Sequence, residues 1–369
     1  MVTTHVGAKV KGAGVETLKV GLLGAGGIAR QHGIAWESNA PRGEIVAIAD
    51  VSEARGRAIA NQFTGGRARV YDGIEALFGD SEVEAVDICL PHHLHTEAIL
   101  AAARAGKAIL CEKPLCTSLA DAARIGSVLR ETGVVFMMAH NQLFQPSLIE
   151  ARRLLGAGTL GRTYFLRSIE TFQNRAALTG QISVPLPPGE SPWAWRADPA
   201  RMGGGEVLDT GWHASYRLLA LAGERPVEVQ AMTGRFMLPG SDGESEDTGA
   251  LQVRFASGAI GEILTTWAFA TVGGWQFEVM GELGSIAGGK AQTWHQVHAW
   301  PEPAEFTNET VHTFTAEVTH FLDVVQAGEP NLAPFETGAR VLQLTTAAYR
   351  SVAERRTISV PENPLAEGE

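Results

Sequence analysis

The chain has 369 residues, 45% hydrophobic and 19% charged, which suits two globular domains with real cores. Its 30 basic and 41 acidic residues give a formal charge of −11, and without Lys/Arg-rich runs this argues against nucleic acid and against an anionic membrane surface. No apolar run reaches the ~18 residues of a membrane span, the first residues lack a signal-peptide apolar region, and Cys89, Cys111 and Cys116 offer no disulfide framework, so a cytoplasmic protein is expected.

Residues 1–16 mix Gly, Ala, Thr and Lys without periodicity and read as a mobile tail. From Thr17 a pattern sets in. "TLKVGLLG" is a strand, "GGIARQHGIAWES" a helix, "GEIVAIAD" a strand and "SEARGRAIANQF" a helix. "ARVY", "VEAVDICLP", "KAILCEKP" and "VVFMMAH" follow as strands, with helical stretches between them. This alternation predicts βαβ units and a doubly wound parallel sheet, a Rossmann-type domain over residues 17–141. The texture then changes. A helix from Pro146, a long Pro-rich loop over 174–202 and a series of alternating runs from Pro226 predict an α+β domain over 142–369 with a large, open, mostly antiparallel sheet.

The turn "GAGGIA" follows the first strand and opens a helix, and Asp50 ends the next strand, as a dinucleotide fingerprint requires. Gly24 permits the tight turn, Gly26 lets backbone approach a pyrophosphate, and Ala29 lets helix and strand pack. Gly27 and Ile28, which open the helix, are counted with the cofactor loop. Asp50 is placed to accept ribose hydroxyls and to repel a 2′-phosphate, so NAD is expected over NADP. Arg55 and Arg57 lie nearby, as ordinary surface charges or as groups that soften that repulsion.

The stretch "ILCEKPLCTS" puts Glu112 and Lys113 at the carboxyl end of the fifth strand, where doubly wound sheets bind ligands. With "GAGGIA", "PHHLHTEAILAAARAGK", "HNQLFQP", "GAGTLG" and "GGGEVLDTGWHASY", it makes the chain resemble the Gfo/Idh/MocA family of nicotinamide oxidoreductases from about residue 17 onward. That resemblance implies a catalytic Lys113 at the reacting hydroxyl, with Asp209 and His213 as its partners. By spacing alone, Asp209 and His213 share a helix face, and the carboxylate is expected to raise the imidazole's basicity. Glu112 either orients the lysine or binds the ribose or nicotinamide region. Pro91 and His95 are expected at the cofactor, His95 at a position the family shares. His92, His93 and His95 lack the ligand set of a closed zinc site, and no metal is expected.

On the substrate side, Asn141 matches the family pattern. Trp195 and Arg196 are placed to stack on a sugar ring and bond its hydroxyls, or else to anchor the long loop. Leu143 stands where many relatives carry a basic residue, which argues against a carboxylate or phosphate substrate. The resemblance therefore implies an NAD-dependent dehydrogenase of a sugar, inositol or related polyol. Two alternatives are a glycoside-cleaving enzyme that oxidises transiently and a non-catalytic sensor of cofactor or sugar. A homodimer or homotetramer is expected through the tryptophan-bearing sheet (Trp267, Trp275, Trp294, Trp300).

Overall fold

The computed structural model describes residues 16–171, 195, 199–237, 245–271, 274–299 and 301–365. Most of the N-terminal tail, most of the 174–202 loop, Arg196 and Trp300 lie outside the described residues.

Strands β1 (Leu18–Leu23), β2 (Gly43–Ala49), β3 (Arg69–Tyr71), β4 (Ala85–Ile88), β5 (Ala108–Glu112) and β6 (Phe136–Ala139) form a parallel sheet in the order β3-β2-β1-β4-β5-β6. Its central strands are near-continuous apolar runs because helices cover both faces. Val20, Leu22, Val86, Ile88, Ile109 and Leu110 are fully buried. The helices are α1 (Gly27–Ser38), α2 (Glu53–Thr64), α3 (Ile74–Phe78), α4 (His95–Arg104) and α5 (Leu119–Thr132). α5 shows the local logic: the Ser118 hydroxyl caps it by accepting from the Asp121 N–H at 3.1 Å, and Gly133 ends it at φ +67°. The strand order reverses between β1 and β4, which opens a crevice at their carboxyl ends.

After α6 (Pro146–Gly156), β7 (Thr163–Thr171) begins a second sheet, ordered β14-β13-β12-β11-β7-β10-β9-β8-β15. Here β8 is Pro226–Gly234, β9 Thr248–Phe255, β10 Ile260–Thr266, β11 Phe277–Gly281, β12 Gly284–Gly288, β13 Gln292–Val297, β14 Ala304–Thr307 and β15 Ile358–Ser359. Among the described residues of this sheet, β7 and β10 pair in parallel and the other pairs are antiparallel. The single turn α7 (Pro199–Met202) and α8 (Gly211–Ala222) precede β8, and α9 (Thr313–Ala327) and α10 (Phe335–Glu354) close the chain. Trp267 is buried and donates its indole N–H to the Thr210 hydroxyl at 2.8 Å, so it is not on an open sheet face as expected.

Chain order and packing part company near the end. α9 returns to pack on α1 of the first sheet, with Phe321 edge-on to Trp36 and Asp323 paired to Arg42 at 2.8 Å. α10 packs against β6 and α5 as well as α8 and β8, and so joins both sheets.

Candidate active site

The β1–α1 turn is shaped for a phosphate. Gly24 sits at φ +92°, and a Cβ there would meet the Cys89 carbonyl oxygen at 2.5 Å. No atom lies within 4 Å of where a Cβ would stand on Gly26 or Gly27, so the start of α1 presents backbone to open space. Ile28 is partly exposed at the same opening while Ala29 is fully buried. An open, backbone-lined cradle at a helix N-terminus fits a pyrophosphate. Asp50 braces it, accepting the Ala25 N–H at 2.7 Å and the Ser52 N–H at 2.8 Å. Arg55 also pairs with Asp50 at 3.0 Å, whereas Arg57 pairs with Glu53 on the surface. Pro91 precedes the short 3-10 turn His92–Leu94 beyond β4.

At the end of β5 both oxygens of Glu112 are engaged inside the protein. One meets His32 Nε2 at 3.1 Å, and the other accepts the Lys113 backbone N–H at 2.9 Å. His32 Nδ1 meets Asp87 at 2.8 Å, and Trp36 donates its indole N–H to the same Asp87 oxygen at 2.7 Å. Burial alone would lower the His32 pKa, but the charge and hydrogen bond of Asp87 carry it well above the ordinary value. The ring is therefore an imidazolium clamped between two carboxylates. Sequence reading missed it, because His32 falls inside an unremarkable amphipathic helix.

Lys113 reaches across to the second half of the chain. Its Nζ donates to Asp209 Oδ1 at 2.6 Å and to the Asp209 carbonyl at 3.0 Å. Asp209 does not lie on the helix, contrary to the expectation from its spacing with His213. Residues 203–210 form bends and turns, and α8 starts only at Gly211. Buried contacts shape that turn. A Cβ on Gly205 would meet the Glu246 carbonyl oxygen at 2.3 Å, and Gly203 holds φ +81°. Glu206 is wholly buried and hydrogen-bonded by the Thr210 and Thr265 hydroxyls, and burial pushes its pKa well above the carboxylate range.

His213 is half-buried, with Nδ1 at 3.0 Å from the Tyr216 hydroxyl. Burial, then the charges of Lys113 and Arg217, hold its pKa well below the ordinary value; Asp209 opposes this only weakly. The expected gain in basicity from Asp209 is thus reversed, because desolvation and two cations outweigh one carboxylate that is already paired. His92 is a further wall residue. Its Nδ1 meets the Met202 carbonyl at 3.1 Å, its Nε2 lies 3.8 Å from Asp209, and burial pushes its pKa down to about 3. Trp195 packs edge-on against His92, ring centres 4.7 Å apart, which places it at this wall. Tyr216, one turn beyond His213, stacks on His140 at 4.1 Å. The i, i+3 spacing of His213 and Tyr216 was the available signal.

His95 is fully buried, and its ring nitrogens lie 2.7 and 2.8 Å from the carbonyls of Pro114 and Leu90, tying the β4 and β5 loops together. Asn141 donates to the Thr313 hydroxyl at 2.9 Å, at the start of α9. Leu143 lines a cavity whose lining includes neither Lys113, Asp209 nor His213. Among the described residues, His32, Asp87 and Cys89 are the group close enough to share a metal ion, and the hydrogen bonds just given already engage His32 and Asp87 with each other.

Residues 18–140 match the model of the oxidoreductase family with an NAD-binding Rossmann fold, and residues 148–287 match that of the GFO/IDH/MocA C-terminal domain. The inositol 2-dehydrogenase of Rhizobium meliloti (strain 1021) is 30% identical over 93% of this chain and 99% of its own length. The chain belongs to the Gfo/Idh/MocA family. Another relative in sequence, the 1,5-anhydro-D-fructose reductase of Ensifer adhaerens, is 33% identical over 74% of this chain and 76% of its own length. A solved levoglucosan dehydrogenase, in complex with NADH and levoglucosan, shares the fold with a TM-score of 0.82 at 22% identity, covering 94% of this chain and 100% of that one. Among the described residues no helix is long and apolar enough to cross a membrane.

Proposed function

We propose that this Gfo/Idh/MocA protein is an NAD-dependent dehydrogenase that interconverts a secondary alcohol and a ketone on a sugar, inositol or related polyol, with Lys113, Asp209 and His213 at the reacting hydroxyl. The observation that carries this reading is Lys113 Nζ held at 2.6 Å from Asp209 beside an imidazole whose pKa is lowered. Gly24, Gly26, Gly27 and Ile28 would hold the pyrophosphate, and Asp50 with Arg55 would face the adenosine ribose. Bound NAD supplies the hydride acceptor.

The chain's own residues supply the proton chemistry. Lys113 donates to the substrate oxygen and stabilises its alkoxide character, while Asp209 fixes the direction of the ammonium. His213 is neutral near pH 7 because its pKa is depressed, and only a neutral imidazole accepts a proton. In the tautomer with Nδ1–H donated to Tyr216, Nε2 is left to take the hydroxyl proton. Trp195, against His92, offers an aromatic face for the sugar ring.

The test is nicotinamide reduction by the purified protein with inositols, anhydro sugars and aldoses, and the reverse reaction with the matching ketones. Turnover on at least one cyclic polyol or sugar is expected. No turnover in either direction across the panel would overturn the reading. We also infer a homodimer or homotetramer through the outer face of the second sheet. Register there sets Arg167 between Glu262 and Glu278, with Leu264, Met280 and Trp294 on the same face. Light scattering that gives the 39.3 kDa monomer at micromolar concentration would remove this inference.

A further inference from the structure

A cavity of 460 Å³ lies behind the His213–Tyr216 pair, at the edge of the first sheet beyond β6. His140, Leu143 and Tyr216 line it together with three arginines: Arg152 on α6, Arg225 just past α8, and Arg340 on α10. Its size is that of small-molecule sites, which run roughly 300–1,000 Å³.

Three arginines and two glutamates share its wall, and two of the arginines are left without a partner among the described residues. The guanidinium groups of Arg152 and Arg225 make no hydrogen bond or ion pair with any described residue. Arg340 gives Nη1 to Gln343 at 2.9 Å and to the Pro361 carbonyl at 3.3 Å. Its pKa is lowered, first by burial and then by the charge of Arg225. Neither carboxylate of the lining, Glu224 or Glu336, is hydrogen-bonded or ion-paired to these arginines. Glu224 is occupied by the Ser257 N–H at 2.7 Å and the Ser257 hydroxyl at 2.5 Å, and Glu336 is exposed. His140 adds no charge, because burial pushes its pKa down to about 3. Arg152 and Arg225 thus present guanidinium groups to the cavity that no described residue pairs, beside a partnered Arg340, and an anion there would pair them. Their planar forks match phosphate and carboxylate oxygens in pairs.

We propose that this cavity is a second binding site, apart from the hydride-transfer site, for a small metabolite carrying two or more phosphate or carboxylate groups. The proposal does not depend on the roles given to Lys113 and His213. An occupant would touch Tyr216, whose hydroxyl is bonded to His213.

The test is calorimetric titration of the full chain in low-chloride buffer with NAD at saturation, so that the β1–α1 loop is filled. Inorganic pyrophosphate is the probe in one arm and citrate in the other, which separates a phosphate from a carboxylate source. Saturable one-to-one binding of either is expected. Arg152→Gln and Arg225→Gln should each weaken it roughly tenfold or more, the size of a lost charge-assisted hydrogen bond. Arg225→Lys should fall between, keeping the charge and losing the fork. Neither arginine anchors the fold, so melting temperature and NAD affinity should stay put. Absence of saturable binding by both probes, or equal binding by the variants and the parent, would overturn the proposal. So would a parallel loss of NAD affinity, since the probes would then be reading the cofactor loop.

Discussion

The two segments that meet at Lys113 are stabilised by opposite electrostatics. The end of β5 rests on charged groups: an imidazolium at His32 clamped between Asp87 and Glu112, with no water-exposed side. The turn before α8 rests on an acid kept neutral by burial, Glu206, whose carboxyl group meets the Thr210 and Thr265 hydroxyls. A buried ion pair requires both partners, since either one alone is left as an uncompensated charge. A neutral acid requires only hydrogen-bond geometry, which an amide also supplies. The difference teaches that one side of the cleft is fixed by charge and the other by shape, and that Lys113–Asp209 is where they join.

The largest effect is expected at that join. Lys113→Ala should lower turnover by roughly 10²- to 10⁴-fold, the range for a positioned acid–base or electrostatic group, and leave NAD binding intact. Lys113→Arg should rescue little, because a planar fork does not replace a compact ammonium. Normal turnover per folded molecule, with only a lower melting temperature, would reduce Lys113–Asp209 to a structural pair.

Next comes the charged side. Asp87→Asn leaves the His32 imidazolium with Glu112 alone and should cost about 3 kcal/mol in urea unfolding. A cost under about 1 kcal/mol would mean that His32 is not held as an imidazolium.

Histidines held neutral give a third way to probe the contrast. The His140 pKa lies near 3, below the ordinary 6.5, so the unfolded chain takes up its proton first on acidification. The stability this neutral ring contributes is complete above about pH 6.5 and is lost as pH falls toward 3. His140→Gln should make the acid limb of stability shallower by up to about 1.4 kcal/mol per pH unit in that window. An unchanged slope would show that His140 is not what titrates there.

The smallest effect is expected on the neutral side. Glu206→Gln should stay within about 1 kcal/mol of the parent, since the amide can bond both hydroxyls. If it costs as much as Asp87→Asn, Glu206 is ionised and the contrast between the two segments collapses.

Much of this was legible in the sequence because it is written in short-range pattern. Strand–helix alternation, the glycine loop with Asp50, and Glu-Lys-Pro after a strand are encoded within a few residues of each other, and periodicity and turn chemistry read them directly. The same short-range logic misled at Asp209. Its i, i+4 spacing to His213 reads as one helix face, yet the buried contacts of Gly205 and Glu206 hold residues 203–210 in turns.

By itself, then, the sequence determined a Rossmann half, a second antiparallel half and a candidate set centred on Lys113. Tertiary structure alone decided which charges are satisfied and which are not. Lys113 finds Asp209 96 residues away, His32 finds Glu112 80 residues away, and α9 comes back to cover α1. It also left Arg152 and Arg225 on one cavity wall without a partner among the described residues. The physical reason is range. Local propensity specifies elements, whereas desolvation and Coulomb terms depend on neighbours that only the packed chain brings together.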